Sequence, residues 1–351
     1  MTPKSFLGLA AVTLLTTIGA VVTVLNQPST APVAYVDEPA FPSLRANPDA
    51  VAKVTIQTKD GSVVLVRTSP GTWNAPDAFE YPAASDKISK LVRQLNDMRL
   101  IEAKTASQGR YERLDVEDFG EEANSRLIRL EDDQGNILAE TLIGKRLFRL
   151  TGTQPSGTYI RRLGEEQSWL ASGGFELEPE VENWLDQLIV EIPDDQVARI
   201  EVTSTEGNAY IVSRGAKDAD LAMESLAEGE TIKEDAELDQ LASAMTRVIF
   251  ARVKPRTEIT WPETVHTARV TTLDGFDLTV EMVLIEDEPW ATFTAKNAVL
   301  PAGETVPDTV KQQVESLNNK TQGWAYQINQ SLFLRLTKPR DSWVDQADGT
   351  S

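Results

Sequence analysis

An α+β protein is the fold class this sequence predicts: two pseudo-repeated units of antiparallel sheet with flanking helices, after one N-terminal transmembrane helix. Three observations predict it. A hairpin pattern is written twice, helix-period segments follow each copy at matching distances, and an uncharged apolar stretch lies near the N-terminus. The 351 residues suit about two domains.

The apolar stretch runs from Phe6 to Leu25, 20 residues without a charge. As a helix it would span about 30 Å, the thickness of a bilayer's hydrocarbon core. Asn26, Gln27 and Pro28 follow where a cleavable signal would place small residues, so the segment is expected to remain as an anchor. Lys4 precedes it and Asp37 and Glu38 follow, so the N-terminus is expected in the cytoplasm and the bulk outside. In a bacterium that is a single-pass inner-membrane protein with a periplasmic domain. Residues 26–49 hold five prolines and no apolar periodicity, and are expected to form an extended tether.

The repeated hairpin is Val51 to Arg67, answered by Val197 to Arg214. Val51, Val54, Ile56, Gly61 and Val66 fall opposite Val197, Ile200, Val202, Gly207 and Val212. Apolar and polar residues alternate on either side of an acidic residue and a glycine, as in two strands with one buried face. Gly61 and Gly207 are expected to be turn residues with positive φ.

A helix follows each hairpin. Ile88, Leu91, Val92 and Leu95 recur at helical spacing after Ser85, a candidate N-cap. In the second copy Asp235 takes the cap position and Leu238, Leu241, Met245 and Val248 form the stripe. Strands are expected next at Leu100–Thr105 and Phe250–Lys254, then hairpins at 126–143 and 268–284. An acidic connector at 110–122 has no partner in the second copy. Further strands are expected at 157–162 and 167–171, with a counterpart at Trp290–Thr294. Pro179 is expected to open a helix carrying Val181, Trp184, Leu185 and Leu188, matched by a helix after Pro307 carrying Val310, Val314 and Leu317. The domain reading is anchor 1–25, tether 26–49, first unit 50–195, second unit 196–340 and polar tail 341–351.

Composition narrows the chemistry. Thirty-four basic against 54 acidic residues leave a net charge of −20, which disfavours nucleic acid as a partner. No cysteine is present, which removes disulfides and thiolate chemistry, and His266 is the single histidine. No phosphate-binding glycine loop and no Gly-x-Ser-x-Gly elbow occurs. Glu112, Asp115, Glu117, Asp118, Glu121 and Glu122 are dense enough for calcium but lack an Asp-x-Asp-x-Asp-Gly spacing. Glu131, Asp132 and Asp133 read as a solvated hairpin tip, and His266 as a solvated strand-start residue. The tryptophans read as core, because Trp184 lies on an apolar helix face. No catalytic, cofactor or metal residues are assigned. Lys145, Arg146, Arg149, Arg161 and Arg162 are the candidate partner-binding patch, a basic cluster in an acidic chain.

Trp73, Tyr81-Pro82, the helix Ile88 to Leu95, Thr158-Tyr159-Ile160-Arg161, and Trp184-Leu185-Asp186 before a new hairpin make an ordered set. In that order they resemble the domain-of-unknown-function 4340 family over about residues 50 to 340. The family usually has an Asp directly after Pro-Ala, whereas this chain reads Tyr81-Pro82-Ala83-Ala84-Ser85-Asp86, leaving the cap between Ser85 and Asp86. The resemblance implies a bacterial exported protein, often encoded beside gliding-motility-type ABC transporter components, and no site residues. The expected function is a non-enzymatic, membrane-anchored periplasmic binding or scaffold subunit, accessory to an ABC-type transport or cell-envelope system. The alternative is a glycan- or peptide-binding protein using the cleft between the two units.

Overall fold

A computed structural model describes residues 35–148, 157–174, 177–205, 209–234, 236–300 and 304–345. The expected membrane helix at Phe6–Leu25 lies outside them, as do Gly207 and Asp235. Among the described residues no helix is long and apolar enough to cross a membrane.

The strands of the first unit are β1 (Tyr35–Pro39), β2 (Lys53–Thr58), β3 (Gly61–Ser69), β4 (Thr72–Ala75), β5 (Tyr81–Pro82), β6 (Arg99–Ala103), β7 (Arg126–Glu131), β8 (Ile137–Leu147), β9 (Gly157–Arg162) and β10 (Ser168–Ser172). They form a 10-stranded antiparallel sheet in the order β1-β6-β10-β9-β8-β7-β2-β3-β4-β5. Helix α1 (Pro42–Ala46) follows β1, and α2 (Ser85–Asn96) joins β5 to β6.

The second unit supplies β11 (Leu188–Val190), β12 (Val197–Thr203), β13 (Ala209–Ser213), β14 (Ala222–Met223), β15 (Thr231–Ile232), β16 (Val248–Pro255), β17 (His266–Thr272), β18 (Phe276–Ile285), β19 (Glu288–Asn297), β20 (Trp324–Ile328) and β21 (Val344–Asp345). Nine of these form a sheet in the order β11-β16-β20-β19-β18-β17-β12-β13-β14, and β15 pairs with β21. Strand for strand, the order repeats that of the first sheet from β1 to β4. The helices here are α3 (Asp239–Ser243), α4 (Asp308–Thr321) and α5 (Gln330–Leu336).

The repeated hairpin behaves as its alternation requires. Val54 and Ile56 are buried on β2, and Ile200 and Val202 on β12. Gly61 does not adopt positive φ. Its side chain is excluded for another reason: a Cβ there would lie 2.8 Å from the Pro179 carbonyl oxygen. Gly144 has the same role at the bulge in β8, where a Cβ would meet the Leu114 and Asp115 carbonyls.

Several boundaries differ from those expected. Residues 35–49 are not tether, because β1 pairs with β6 and Phe41 and Leu44 bury their side chains in the core. Ser85 is the first residue of α2, and no side chain caps it. The second-copy helix is only five residues long, and Val248 already belongs to a strand. Pro179 opens a 3-10 turn, Val181–Trp184, after which the chain runs extended into β11. Pro179 and Pro307 are therefore not counterparts: α4 is inserted between β19 and β20, where the first unit has only the turn 163–167.

Residues 341–345 are not a polar tail. Trp343 is 2% exposed and Val344 pairs with Ile232. Trp343-Val344-Asp345 repeats Trp184-Leu185-Asp186. The Ala84 N–H donates to the Trp184 carbonyl at 2.7 Å, and the Lys233 N–H to the Trp343 carbonyl at 3.0 Å. Each unit is thus closed by the same latch, laid against the segment that precedes its helix.

One continuous apolar core spans both units. Where they meet, Tyr81 is fully buried against Phe250, Trp324 and Tyr326, with ring centroids 5.4, 5.0 and 6.2 Å away. The first latch runs alongside, with Ala83 bridging Leu185 and the Asp186 N–H donating to the Pro82 carbonyl at 3.1 Å. Short edge strands of the two sheets are thereby joined, which covers backbone groups that would otherwise be open to other chains.

Candidate functional site

The sequence-predicted patch does not survive as one surface. Arg161 is 4% exposed: its Nε donates to the Val116 carbonyl at 2.8 Å, it pairs with Asp118, and its guanidinium lies 4.4 Å over the Tyr111 ring. Lys145 pairs with Asp115 at 3.1 Å. Arg162 pairs with Glu165 at 3.1 Å and reaches the Ala40 carbonyl. Arg149 lies outside the described residues. The physical reason is local neutralisation, since the acidic connector spends Asp115 and Asp118 on Lys145 and Arg161, and the β9–β10 turn supplies Glu165 to Arg162. Glu117 caps the same connector, accepting from the Asn124 and Ser125 N–H groups at 2.5 and 3.2 Å. Among the described residues no group of three or more His, Asp or Glu side chains is placed to hold a metal.

Arg146 is the exception, and it turns the other way. It joins Lys87, Lys90 and Gln94 of α2 along a cavity of about 420 Å³ that also meets Asn183 and Trp184. A second cavity of about 520 Å³ continues from Lys90, Gln94 and Gly174 to Arg93 and Asp97. The helix builds this groove through its own periodicity. Ile88, Leu91 and Leu95 face the core, so Lys87, Lys90 and Arg93 stand outward on the opposite side, all exposed. Lys87 donates to the Asn183 carbonyl at 2.7 Å, and Arg146 lies over the exposed Phe148 ring at 4.6 Å. None of Lys87, Lys90, Arg93 and Arg146 has a carboxylate within ion-pair distance among the described residues. Glu178 lines the groove without pairing, and Asp97 leans to Arg45 at 3.9 Å. Sequence reasoning passed over Lys87, Lys90 and Arg93, although their i, i+3, i+6 spacing was readable. Their convergence with Arg146 is a contact between a helix and a strand end about 50 residues apart.

The tryptophans do not line the recess between the units. Trp73, Trp184 and Trp290 are 6%, 5% and 4% exposed, and Trp324 closes on Tyr81 at the junction. Burial and the neighbouring Tyr326 push the Tyr81 phenol well above its ordinary value, and burial raises Tyr326 to about 12. Both hydroxyls are neutral donors: Tyr326 donates to the Lys320 carbonyl at 3.2 Å, and the two hydroxyls lie 3.4 Å apart. A recess of about 630 Å³ on the junction's surface is lined mostly by polar side chains such as Glu182, Asn183, Gln187 and Asn329. His266 opens β17 with its ring edge-on to Phe333 at 5.6 Å and Nε2 3.5 Å from the Thr205 hydroxyl. Asp132, at the predicted hairpin tip, accepts from Asn136 and from the Gln134 and Asn136 N–H groups, and these bonds hold its carboxyl below the usual range.

Fold and groove together define a duplicated α+β module bearing a basic groove on an acidic body. The chain belongs to the family described as Domain of unknown function (DUF4340), whose model matches residues 73–260, just over half of the chain. That match starts at Trp73 in the first unit and ends within the second. No curated protein matches the chain.

Proposed function

We propose that this protein is a non-enzymatic binding or scaffold subunit, held at the periplasmic face of a bacterial inner membrane by its N-terminal apolar segment and accessory to an ABC-type transport or envelope system. The observation that carries the reading is the groove of Lys87, Lys90, Arg93 and Arg146. Four exposed cations without carboxylate partners among the described residues, in a chain of net charge −20, form a surface complementary to an acidic segment of another protein. The family resemblance supports the transporter side of the reading, and the aromatic-filled junction favours it over a ligand cleft between the units.

Affinity purification of the full chain from mild detergent, wild type beside the K87E/K90E double variant, tests it. Envelope proteins are expected to co-purify with the wild type at low salt, and the charge reversal to reduce their recovery at least tenfold. Recovery of the protein alone, or equal recovery with both forms, removes the reading.

A further inference from the structure

Helix α2 borders a further cavity on its other flank, of about 810 Å³, bordered also by the β3–β4 hairpin and the 3-10 turn Pro48–Ala50. Its floor is apolar, from Val51, Trp73, Ile88 and Val92, and its rim carries Arg67 and Arg93. The Arg67 guanidinium donates to the Asp49 carbonyl at 2.6 Å. Neither arginine has a carboxylate partner among the described residues; the Asp49 side chain shares the rim and pairs with neither.

The second unit shows what belongs in such a place. Arg214 is the counterpart of Arg67. Its N–H donates to the Ala198 carbonyl at 2.9 Å, as that of Arg67 does to Ala52 at 2.8 Å. Its guanidinium reaches the Asp194 carbonyl at 3.1 Å, as that of Arg67 reaches Asp49. There the likeness stops. Arg214 also meets the Ala219 carbonyl at 3.2 Å and the Asp239 carboxylate at 3.4 Å, and its side chain is 8% exposed. The longer loop 214–221 ends on Leu221, 5% exposed, which by strand register takes the place of Trp73. Asp239 stands where the first unit has Ser89, the same 150 residues apart as Leu238 and Ile88. The second unit meets its arginine with its own carboxylate. The first unit has a tight Pro70-Gly71 turn, a serine, an open cavity and one arginine more.

We propose that the cavity between α2 and the β3–β4 hairpin binds a small amphipathic carboxylate from outside, its anionic head at Arg67 and Arg93 and its apolar body on Val92 and the edge of Trp73. An arginine–carboxylate pair suits the head, because the guanidinium offers two parallel donors. A volume of about 810 Å³ lies within the usual span for small ligands, about 300–1,000 Å³. The site is separate from the acidic-partner groove except for Arg93, and does not depend on that reading. A free aliphatic acid and the C-terminus of an apolar peptide share this chemistry.

Isothermal titration of the full chain in detergent uses octanoate, octanol, and a peptide ending in Leu-Leu with a free or an amidated C-terminus. Octanoate or the free-acid peptide is expected to bind, with the uncharged analogue at least tenfold weaker; the tighter of the two acids identifies the source. Arg67→Gln is expected to weaken binding at least tenfold, and Ser89→Asp, which installs the second unit's acid, to abolish it without removing an arginine. K87E/K90E is expected to leave it unchanged, which separates this site from the groove. Equal binding of acid and uncharged analogue, no binding of either acid, or a folded S89D protein that binds like the wild type overturns the proposal.

Discussion

In the first unit Tyr81, on the edge strand β5, packs its ring against Phe250, Trp324 and Tyr326 of the second; in the second unit the equivalent position is Thr231, part of a two-residue ladder with Val344 and Asp345. The strand order, the hairpins and the Trp-x-Asp latch are common to both. What differs is the occupant of each shared position. Before the helix stands Tyr81, packed on the neighbouring sheet, or Thr231, paired with Asp345; on the helix stands Ser89, beside a cavity, or Asp239, paired with Arg214. Duplication supplied the frame, and single side chains at its edges gave the halves different work.

The largest test of this comparison concerns the second latch. Ending the chain after Pro339 removes Trp343, whose indole donates to the Tyr210 hydroxyl at 3.1 Å, and the ladder that Val344 makes. A stability loss of at least about 3–5 kcal/mol is expected in urea unfolding, the cost of deleting a buried tryptophan. Ending it after Asp345 is expected to change stability by less than about 0.5 kcal/mol. Equal effects from both truncations would return residues 341–345 to the status of a tail.

Tyr81→Ala comes next, at about 3 kcal/mol, because it empties a fully buried ring site at the junction. Thr231→Ala, on an exposed residue, is expected to stay within about 0.5 kcal/mol. Unfolding followed by tryptophan fluorescence distinguishes them. Similar losses at the two positions would mean that Tyr81 does not couple the units.

The smallest effect is a pH dependence. Arg340, with help from the Ala227 N–H, lowers Glu230 from the ordinary 4.5 to about 2. The folded carboxylate therefore keeps its charge where the unfolded one has been protonated. Its contribution is complete above about pH 5, declines as pH falls below 4.5, and is gone near pH 2. The stability difference between wild type and Glu230→Gln is expected to shrink over that window. Glu80, in the same place in the first unit, has no arginine partner among the described residues. A constant difference for Glu230→Gln would assign its effect to something other than the Arg340 pair.

Much of the fold was legible. Alternation marked β2, β3, β7, β8 and their counterparts, since a strand with one wet face must alternate, and the stripe of Ile88, Leu91 and Leu95 marked α2. Other readings failed for identifiable reasons. Val181, Trp184, Leu185 and Leu188 have helical spacing, yet Leu185 is drawn into a bridge with Ala83, and tertiary pairing overrides a period of one turn. Tyr35–Pro39 and Trp343–Asp345 are too short to show a period. Residues near Lys145 and Arg161 looked like a patch because the acidic connector that neutralises them is distant in sequence. The groove was half legible: helical phase already put Lys87, Lys90 and Arg93 on the polar side of α2.

By itself the sequence determined the duplication, the antiparallel hairpins and the acidic, cysteine-free surface, because periodicity and charge are local properties that survive without a partner. Only the tertiary structure decided where the units touch, that Gly61 answers to Pro179, that Arg161 is spent in the interior while Arg146 reaches the groove, and that Arg67 borders an open cavity while Arg214 meets a carboxylate. Those outcomes depend on which surfaces meet, and that is settled by packing between segments far apart in the chain.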